Sequence, residues 1–476
     1  MNLAKSHPSL RIMISLASAS ILLTSNSYAA SKNVYADFPI TLKGYSGGKS
    51  NSVSYTGQIA RHTLHDSIKN LIGEGEGTSN AELLNKLLAY YEGTDEGRSI
   101  TAPTTKDAFV IKQDSIDSIS KKKNLAGKTF KGTIIGWPGN LTGPEALKFM
   151  IEKAATTNGG YDPLTGYDYK QLVSKFAMGA VFYNQAVDNY LDELLEADKK
   201  PNNVAYKEGA PYTGKEHVWD EAFGYFGAPA HALTLTPKEV VAINKRKPEA
   251  FAKADFDKDG SVNLKSEMTF AHAYYAAGFD AKGGTTYLHT IVKAFIDGRQ
   301  LITDAKGQAL TDAQRNTLKA HAETIEKNWE KVIAEAVFKY AGSTYKDIQK
   351  LQATVENNGD AGEIFKTYAK HWGELKGFSL ALQTGRNNLG ETATKLNRLI
   401  GFSPVLLGNT QVASINDKGE YVQKPSETLE GYKLHMLKVQ QLMIDAFDVK
   451  VQENNALASL GELSKKLGSG KSVEND

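Results

Sequence analysis

The chain has 476 residues, of which 56 are Lys or Arg, 54 are Asp or Glu, 41% are hydrophobic and none is cysteine. This hydrophobic fraction is enough to build a large core and excludes a globally disordered chain. The lack of cysteine excludes disulfides, a thiol nucleophile, iron–sulfur clusters, covalently attached c-type haem and a lipid anchor on cysteine. A bound metal must therefore use His, carboxylate, Tyr or carbonyl ligands.

The first residues have the pattern of a secretory signal peptide. Lys5 and Arg11 form a basic start, residues 12–23 are a short apolar run, and Ser27 and Ala29 are the small residues expected before a cleavage site. The run is shorter than the roughly 20 residues that span a bilayer. We predict cleavage near Ala29 and a soluble periplasmic or secreted product with no membrane span. Loss of two basic residues changes the formal charge from +2 to 0, which gives no bias toward nucleic acid.

Apolar residues recur at helical spacing along most of the remaining chain. Thr311 with Gln314 fits a capping box at the start of one such segment. Residues 93–145 lack the pattern and are predicted to be mostly irregular. The predicted helices lie at 59–72, 81–91 and 169–197, with others starting near Thr311, Asp360 and Pro425.

Strand patterns are few, so the sequence predicts an all-α fold. We expect two fused helical-bundle halves with long irregular loops and an inserted calcium-type loop. The predicted divisions are a signal peptide at 1–29, an N-terminal half at 30–205, a C-terminal half at 206–460 with the loop at 255–267, and a disordered tail at 461–476.

The segment 255–267 has the alternating pattern of a calcium-binding loop. Oxygen-bearing residues stand at loop positions 1, 3, 5, 7 and 9, and Gly260 at position 6 can take the left-handed conformation of a tight turn. Position 12, which usually supplies a carboxylate, is Ser266, and the carboxylate comes one residue late. The alternative is a solvated acidic turn that caps a helix starting at Lys265. The predicted calcium ligands are Asp255, Asp257, Asp259, Ser261, Asn263 and Glu267.

Two His–carboxylate pairs at helical spacing are candidate transition-metal ligands. His217 and Glu221 are i, i+4 neighbours, and His371 and Glu374 are i, i+3 neighbours. His371 is predicted to project from the apolar face of its helix, where facing helices build metal sites. We expect the two pairs to share one site, and a mixed imidazole and carboxylate set suits iron or zinc. The alternative for each pair is a structural hydrogen-bond network in the core.

Two other polar features are predicted to lie at the surface. His62 and His65 project away from the apolar stripe of the first helix, so an exposed polar face is favoured over a metal or inter-helix cluster. Arg61 lies between the two faces and can pair with a carboxylate elsewhere. The lysine run at 121–123 is predicted to be solvated.

The two His–acid pairs and the stretch 55–61 carry a resemblance to a known family. An exported, cysteine-free helical chain with these pairs resembles the imelysin-like family. It is more similar to an uncharacterised bacterial family of exported domains grouped near it, through residues 55–61, 217–226 and 371–374. The resemblance implies two fused helical bundles and periplasmic or surface metal handling, often of iron, and some members are metallopeptidases. The family's Gly-x-His-x-x-Glu motif is not reproduced, because no Gly stands two residues before His371.

These observations support three hypotheses about function. We favour an exported, non-enzymatic, imelysin-like protein that binds metal or assists metal uptake, with a structural calcium loop and an unidentified surface or uptake partner. A zinc peptidase is the enzymatic alternative, although the chain has no His-Glu-x-x-His motif. The third hypothesis is a calcium-stabilised module that binds polysaccharide or a surface partner and uses some of the 22 Tyr. A phosphate loop is not expected, because the glycine-rich stretch 73–77 is acidic.

Overall fold

Fifteen α-helices, seven short 3-10 or π-helical segments and two short antiparallel hairpins make up the regular structure of the described residues. The computed structural model describes residues 33–35, 37–93, 96–387 and 389–468. The predicted signal peptide lies outside the described residues. The helices are α1 (Thr56–Ile72), α2 (Ala81–Glu92), α3 (Ile116–Ile119), α4 (Gly143–Ala154), α5 (Tyr169–Ala177), α6 (Gly214–Phe226), α7 (Pro237–Asn244), α8 (Phe251–Ala254), α9 (Ala271–Asp280), α10 (Tyr287–Asp304), α11 (Asp312–Glu356), α12 (Gly362–Leu382), α13 (Gly390–Ile400), α14 (Leu429–Phe447) and α15 (Leu460–Gly468). The hairpins are β1 (Tyr161–Asp162) with β2 (Tyr167–Asp168), and β3 (Thr410–Ile415) with β4 (Tyr421–Pro425).

Most of the predicted helices form with the expected ends. The Thr311 hydroxyl accepts from the Gln314 N–H, and Gln314 Oε1 accepts from the Thr311 N–H at 2.9 Å, which is the predicted capping box. α2 ends at Gly93, whose φ of +74° is a conformation that glycine adopts at little cost. α4 was not predicted, although Thr142 and Glu145 form a capping box at its start.

The 45-residue helix α11 packs against α10, α12 and α14. Trp329 on α11, Trp219 on α6 and Trp372 on α12 are fully buried in the core around it. α5, from the predicted N-terminal half, packs on α12, from the predicted C-terminal half. The described residues belong to one compact unit. The mostly helical fold is therefore confirmed, and a division into two halves near residue 205 is not.

The predicted helix at 169–197 changes form partway along its length. α5 ends at Ala177, and the chain continues through π-helical turns at Met178–Tyr183 and Gln185–Tyr190. A π-helix has more residues per turn than an α-helix, so a stripe predicted at 3.6-residue spacing loses its register there. Single π turns are frequent at functional sites, and the second of these carries Tyr190.

A buried ion-pair network attaches the extended segment before α1 to the helices. Arg299 on α10 is fully buried and donates from Nε to Asp220 Oδ1 at 2.9 Å and from Nη1 to Glu216 Oε1 at 3.2 Å. Its Nη2 donates to Ser52 Oγ at 2.6 Å, and the Tyr35 hydroxyl donates to Asp220 Oδ1 at 2.9 Å. The two acids of α6 thus have the partners that buried charges need.

The C-terminal segment differs from its prediction. Residues 460–468 form α15, which packs against α14. Leu463 is buried, and Leu460 and Leu467 pack against the core from the same helix face. The predicted disorder is wrong for this part, because three leucines at helical spacing give the helix an apolar face. Residues 469–476 lie outside the described residues.

None of the helices described has both the length and the apolar character needed to cross a bilayer.

Candidate functional site

The predicted calcium loop brings three carboxylates together between α8 and α9. Oxygens of Asp255, Asp257 and Glu267 all lie within 4.8 Å of one another. In the described part of the chain, this is the one group of three or more His, Asp or Glu side chains with that spacing. Gly260, at loop position 6, has a φ of +88° and forms the expected tight turn. A donor set made of oxygens fits a hard cation such as calcium.

Glu267, one residue late in the loop pattern, still contributes its carboxylate to the group. The side chain is buried, with Oε1 accepting from the N–H of Phe256 at 2.9 Å and of Asp257 at 3.1 Å. Oε2 accepts from the Asn263 N–H at 2.7 Å. Burial raises the pKa of Glu267, and these hydrogen bonds oppose the increase. Three backbone donors therefore fix this carboxylate beside Asp255 and Asp257.

Two of the predicted ligands have other partners. Asp259 Oδ1 accepts from the Ser261 N–H at 3.0 Å and from the Ser261 hydroxyl at 2.7 Å. Its other oxygen pairs with the ammonium of Lys112, which holds the pKa of Asp259 below its usual value. Asn263 Oδ1 accepts from Gln113 Nε2 at 2.7 Å. Asp259 and Asn263 thus stabilise the loop from outside the group of three carboxylates.

A segment distant in the chain holds the loop in place. The Val262 N–H donates to the Val110 carbonyl at 2.8 Å, and the Lys112 N–H donates to the Val262 carbonyl at 3.0 Å. Gln113 Oε1 accepts from the Leu264 N–H at 2.8 Å. Sequence reasoning missed Lys112 and Gln113, because they lie far from the loop in sequence and have no pattern that marks them as its partners.

The acidic-turn alternative required a helix starting at Lys265. Residues 264–267 form turns instead, and the next helix, α9, starts at Ala271. The acidic residues therefore do not cap a helix, and that interpretation is wrong in this respect.

His217 and Glu221 are neighbours on α6, as their spacing predicted. His217 Nε2 and Glu221 Oε2 are 3.7 Å apart. The rings of Tyr206 and Tyr212 flank His217, with centroids 4.1 and 4.5 Å from that of the imidazole. Burial lowers the pKa of His217. Gln58 Nε2 donates to Glu221 Oε1 at 2.7 Å, so this carboxylate already has protein partners.

His371 and Glu374 each contact residues other than those of the His217–Glu221 pair. His371 Nδ1 lies 2.5 Å from Asp347 Oδ2 on α11, and 27% of the side chain stays exposed. The imidazole therefore faces a neighbouring helix rather than the apolar interior that was predicted. Glu374 is buried, and the Tyr340 hydroxyl and Lys175 lie beside it. Asp347 was missed because it lies on another helix.

The two His–carboxylate pairs do not combine into one group of ligands. Three of their four side chains would need ligand atoms within 4.8 Å of one another, and no such group occurs among the residues described. The physical reason is that His217 lies between two tyrosine rings with Glu221 beside it, whereas His371 is paired with Asp347. The expected shared transition-metal site is not formed.

The surface predictions around α1 also need correction. His62 is fully buried and its Nε2 lies 3.0 Å from the Gly224 carbonyl, while burial lowers its pKa to about 3. His65 is buried with Nε2 2.9 Å from the Ser174 carbonyl. Both histidines are covered because α5 and α6 pack on α1, which its own periodicity does not reveal. Within the run 121–123, the third lysine is half-buried.

Most of this chain matches the model of a known protein family. A family model described as a domain of unknown function, DUF4856, matches residues 45–397. The matched region includes the calcium-type loop and both His–carboxylate pairs, and it ends before α14 and α15. No curated protein and no solved structure matches the chain significantly. Because the match spans well over half of the chain, the protein belongs to the DUF4856 family.

Proposed function

We propose that the loop at 255–267 binds one calcium ion and that this ion stabilises a non-enzymatic protein. The observation that carries the proposal is the position of Asp255, Asp257 and Glu267, whose oxygens lie within 4.8 Å of one another. Carboxylates this close repel each other when ionised, and a bound cation converts that repulsion into attraction. The proposed site therefore explains why three acids are held together by backbone donors.

The donor set favours calcium over iron or zinc. Every side chain in the group is a carboxylate, and Ser261 at position 7 offers a backbone carbonyl, as calcium loops require. Imidazole, which favours the borderline metals, is absent from the group. Magnesium demands a near-octahedral arrangement and sheds its water reluctantly, so an alternating loop suits it less well.

The expected role of the ion is structural. The loop is joined by backbone hydrogen bonds to Val110 and Lys112, which lie in the mostly irregular region between α2 and α4. A cation that holds the loop closed would also hold this region, which has few helical hydrogen bonds of its own. Binding to the native state alone would stabilise the whole fold.

Thermal unfolding with and without calcium tests the proposal. Calcium should raise the melting temperature, because saturation at 100 times Kd stabilises the native state by about 2.7 kcal/mol. Asp257→Asn should abolish this increase. Asp114→Asn is the matched control, since it removes an equal charge from an exposed residue next to Gln113 and should preserve the increase. Identical melting curves in calcium and in EDTA would contradict calcium binding.

The wider assignment is an exported protein of the imelysin-like kind, in which metal handling is the main role. The helical architecture and the signal-peptide pattern of residues 1–29 support it. Amino-terminal sequencing of the exported protein should give a first residue near Ala30. Metal analysis of the purified protein should find calcium in preference to iron and zinc. A stoichiometric transition metal would instead favour the zinc-peptidase or iron-handling alternatives.

A further inference from the structure

Three basic side chains lie together near the start of α1. Arg61 lies on α1, and Lys123 and Lys128 lie in the segment after α3; we call these three residues the basic cluster. In the described part of the chain, no carboxylate oxygen lies within 4 Å of any of these three cationic groups. Arg61 is buried and the two lysines are half-buried, so solvent screens their mutual repulsion only in part.

Two of these cations, those of Arg61 and Lys123, lie beside Gly57. A Cβ built on Gly57 would lie 3.0 Å from Lys123 Cε, 3.6 Å from Lys123 Nζ and 3.7 Å from Arg61 Nη1. Arg61 is held in position by donating from Nε to the Asn124 carbonyl at 3.0 Å and from Nη1 to the Gly57 carbonyl at 3.3 Å. Lys128 Nζ lies 3.4 Å from the Tyr190 hydroxyl, on the second π turn. The cluster is thus assembled from α1 and the segment after α3, and Tyr190 contacts it from a third segment.

Two buried polar atoms beside the cluster have no hydrogen-bond partner among the described residues. The Tyr225 side chain is fully buried, and its ring centroid lies 5.9 Å from the Arg61 guanidinium carbon. Gln58 and Arg61 lie beside its hydroxyl, but the hydroxyl makes no hydrogen bond of acceptable geometry with any described residue. The Arg61 guanidinium has only donors, so it cannot accept the hydroxyl proton. His217 Nδ1 is also buried and has no hydrogen-bond partner among the residues that the structure describes. Native proteins rarely leave such atoms unsatisfied, and each case calls for an explanation.

The negative charge of Glu221 acts to raise the pKa of Lys123 and of Lys128, and so offsets part of the positive charge of the cluster. Glu221 accepts a hydrogen bond from Gln58 at 2.7 Å and lies 3.7 Å from His217. Burial and the proximity of Arg61 lower the pKa of Lys123, and the same two causes lower the pKa of Lys128. Positive charge is therefore in excess at this point.

We propose that the basic cluster binds the oxyanion group, phosphate or carboxylate, of a small ligand, with Tyr225 donating a hydrogen bond to it. Such a ligand supplies the missing negative charge and an acceptor for the orphan hydroxyl. Guanidinium and ammonium groups bind both oxyanions through charge-assisted hydrogen bonds. The proposal is independent of the calcium loop, which shares no residue with this site.

Binding of inorganic phosphate and of succinate separates the two sources of the oxyanion. Titration calorimetry and thermal unfolding are carried out on the full chain in EDTA, at constant ionic strength, with chloride as the reference. We expect one of the two anions to bind and to raise the melting temperature above that in chloride. Lys123→Gln should weaken this binding by about tenfold, because a hydrogen bond to a charged group is lost. Lys121→Gln, which removes an exposed neighbouring charge, should change the affinity by less than about twofold.

Two further variants test the geometry while keeping the charges. Tyr225→Phe removes an unpartnered hydroxyl, so it should leave the stability in chloride unchanged or increased while weakening anion binding. Gly57→Ala introduces a better helix former near the start of α1 but places a methyl group against Lys123. It should also weaken anion binding without loss of the fold.

The proposal would be overturned by any of three results. The first is that neither anion binds. The second is that Lys123→Gln and Lys121→Gln weaken binding equally. The third is that Tyr225→Phe and Gly57→Ala both leave the affinity unchanged. The second result would indicate attraction by overall charge rather than a built site. Circular dichroism of each variant in chloride shows whether a loss of binding is accompanied by loss of structure.

Discussion

The calcium-type loop and the basic cluster carry uncompensated charges of opposite sign. In the described part of the chain, no Lys or Arg nitrogen lies within 4 Å of the Asp255, Asp257 or Glu267 carboxylates, and no carboxylate oxygen lies within 4 Å of the three cations of the basic cluster. In each, hydrogen bonds to or from the backbone keep like charges close together. Like charges in proteins normally avoid such proximity. The comparison indicates that each region is built for a ligand of opposite charge.

The Arg299 network provides the reference for both regions. It is more deeply buried than either, yet its cation contacts two acids and two hydroxyls. The network therefore needs no ligand. The effect of a substitution in this network on stability should therefore be the same with and without calcium or anions. The effect of a substitution in the calcium-type loop or the basic cluster should change when the ligand is added.

The largest effect is expected for Arg299→Met. The substitution leaves Asp220 and Glu216 buried without their cation, so the free energy of unfolding should fall by about 3–5 kcal/mol. Urea unfolding should give the same loss in EDTA, in calcium and in phosphate. Lys319→Met is the control, because its pair with Glu196 at 2.7 Å is exposed to solvent and should matter little. Equal losses in the two variants would contradict the reference role of the network.

A smaller effect is expected for the pH dependence of the free energy of unfolding. Its sign should differ between EDTA and calcium. Burial raises the pKa of Glu267 in the folded protein above its value in the unfolded chain. Between these two values the unfolded chain has lost the proton that the folded protein keeps. Without calcium, stability should therefore fall as pH rises through this window, by at most about 1.4 kcal/mol per pH unit for one group.

Calcium reverses this sign, because the ion binds the ionised carboxylate and protonation competes with it. In calcium, stability should rise with pH through the same window. The measurement is urea unfolding at a series of pH values in EDTA and in calcium, for the wild type and for Glu267→Gln. The difference between the two proteins isolates Glu267 from other carboxyl groups. Parallel curves in the two conditions would argue against calcium at this carboxylate.

The calcium-type loop could be predicted from the sequence and the basic cluster could not, because the loop is one continuous segment and the cluster is not. The loop is contiguous, so the spacing of Asp255, Asp257 and Gly260 could be recognised from sequence, although the partners of Asp259 and Asn263 could not. Helices with clear periodicity, such as α1 and α11, were predicted for the same local reason. The burial of His62 depends on what packs over α1, and local periodicity has no information about that.

The basic cluster could not be predicted, because its parts are distant in sequence. From sequence, Arg61 could pair with a carboxylate elsewhere, and it donates to two carbonyls instead. Lys123 belongs to a run of three lysines of which the other two are exposed. Tyr190 is brought to Lys128 by a π turn that a 3.6-residue period misses. Each residue alone has the pattern of an ordinary surface or core position.

The smallest predicted effect applies to the calcium-type loop and the basic cluster without their ligands. If like charges are held together for binding, removing one charge should stabilise the ligand-free protein, since repulsion is relieved. Lys123→Gln in chloride should raise the free energy of unfolding by about half a kcal/mol, because a half-buried charge is still partly screened. Asp257→Asn in EDTA should change stability in the same direction.

Both gains should disappear or reverse when calcium or the bound anion is present, because the ligand stabilises the wild type more than the variant. Lys121→Gln and Asp114→Asn should show no such dependence, since both side chains are exposed and lie outside the two groups. Urea unfolding of these four variants, with and without each ligand, provides the measurement. A loss of stability for Lys123→Gln in chloride would mean that its ammonium contributes to the fold itself, and the parallel between the basic cluster and the loop would then fail.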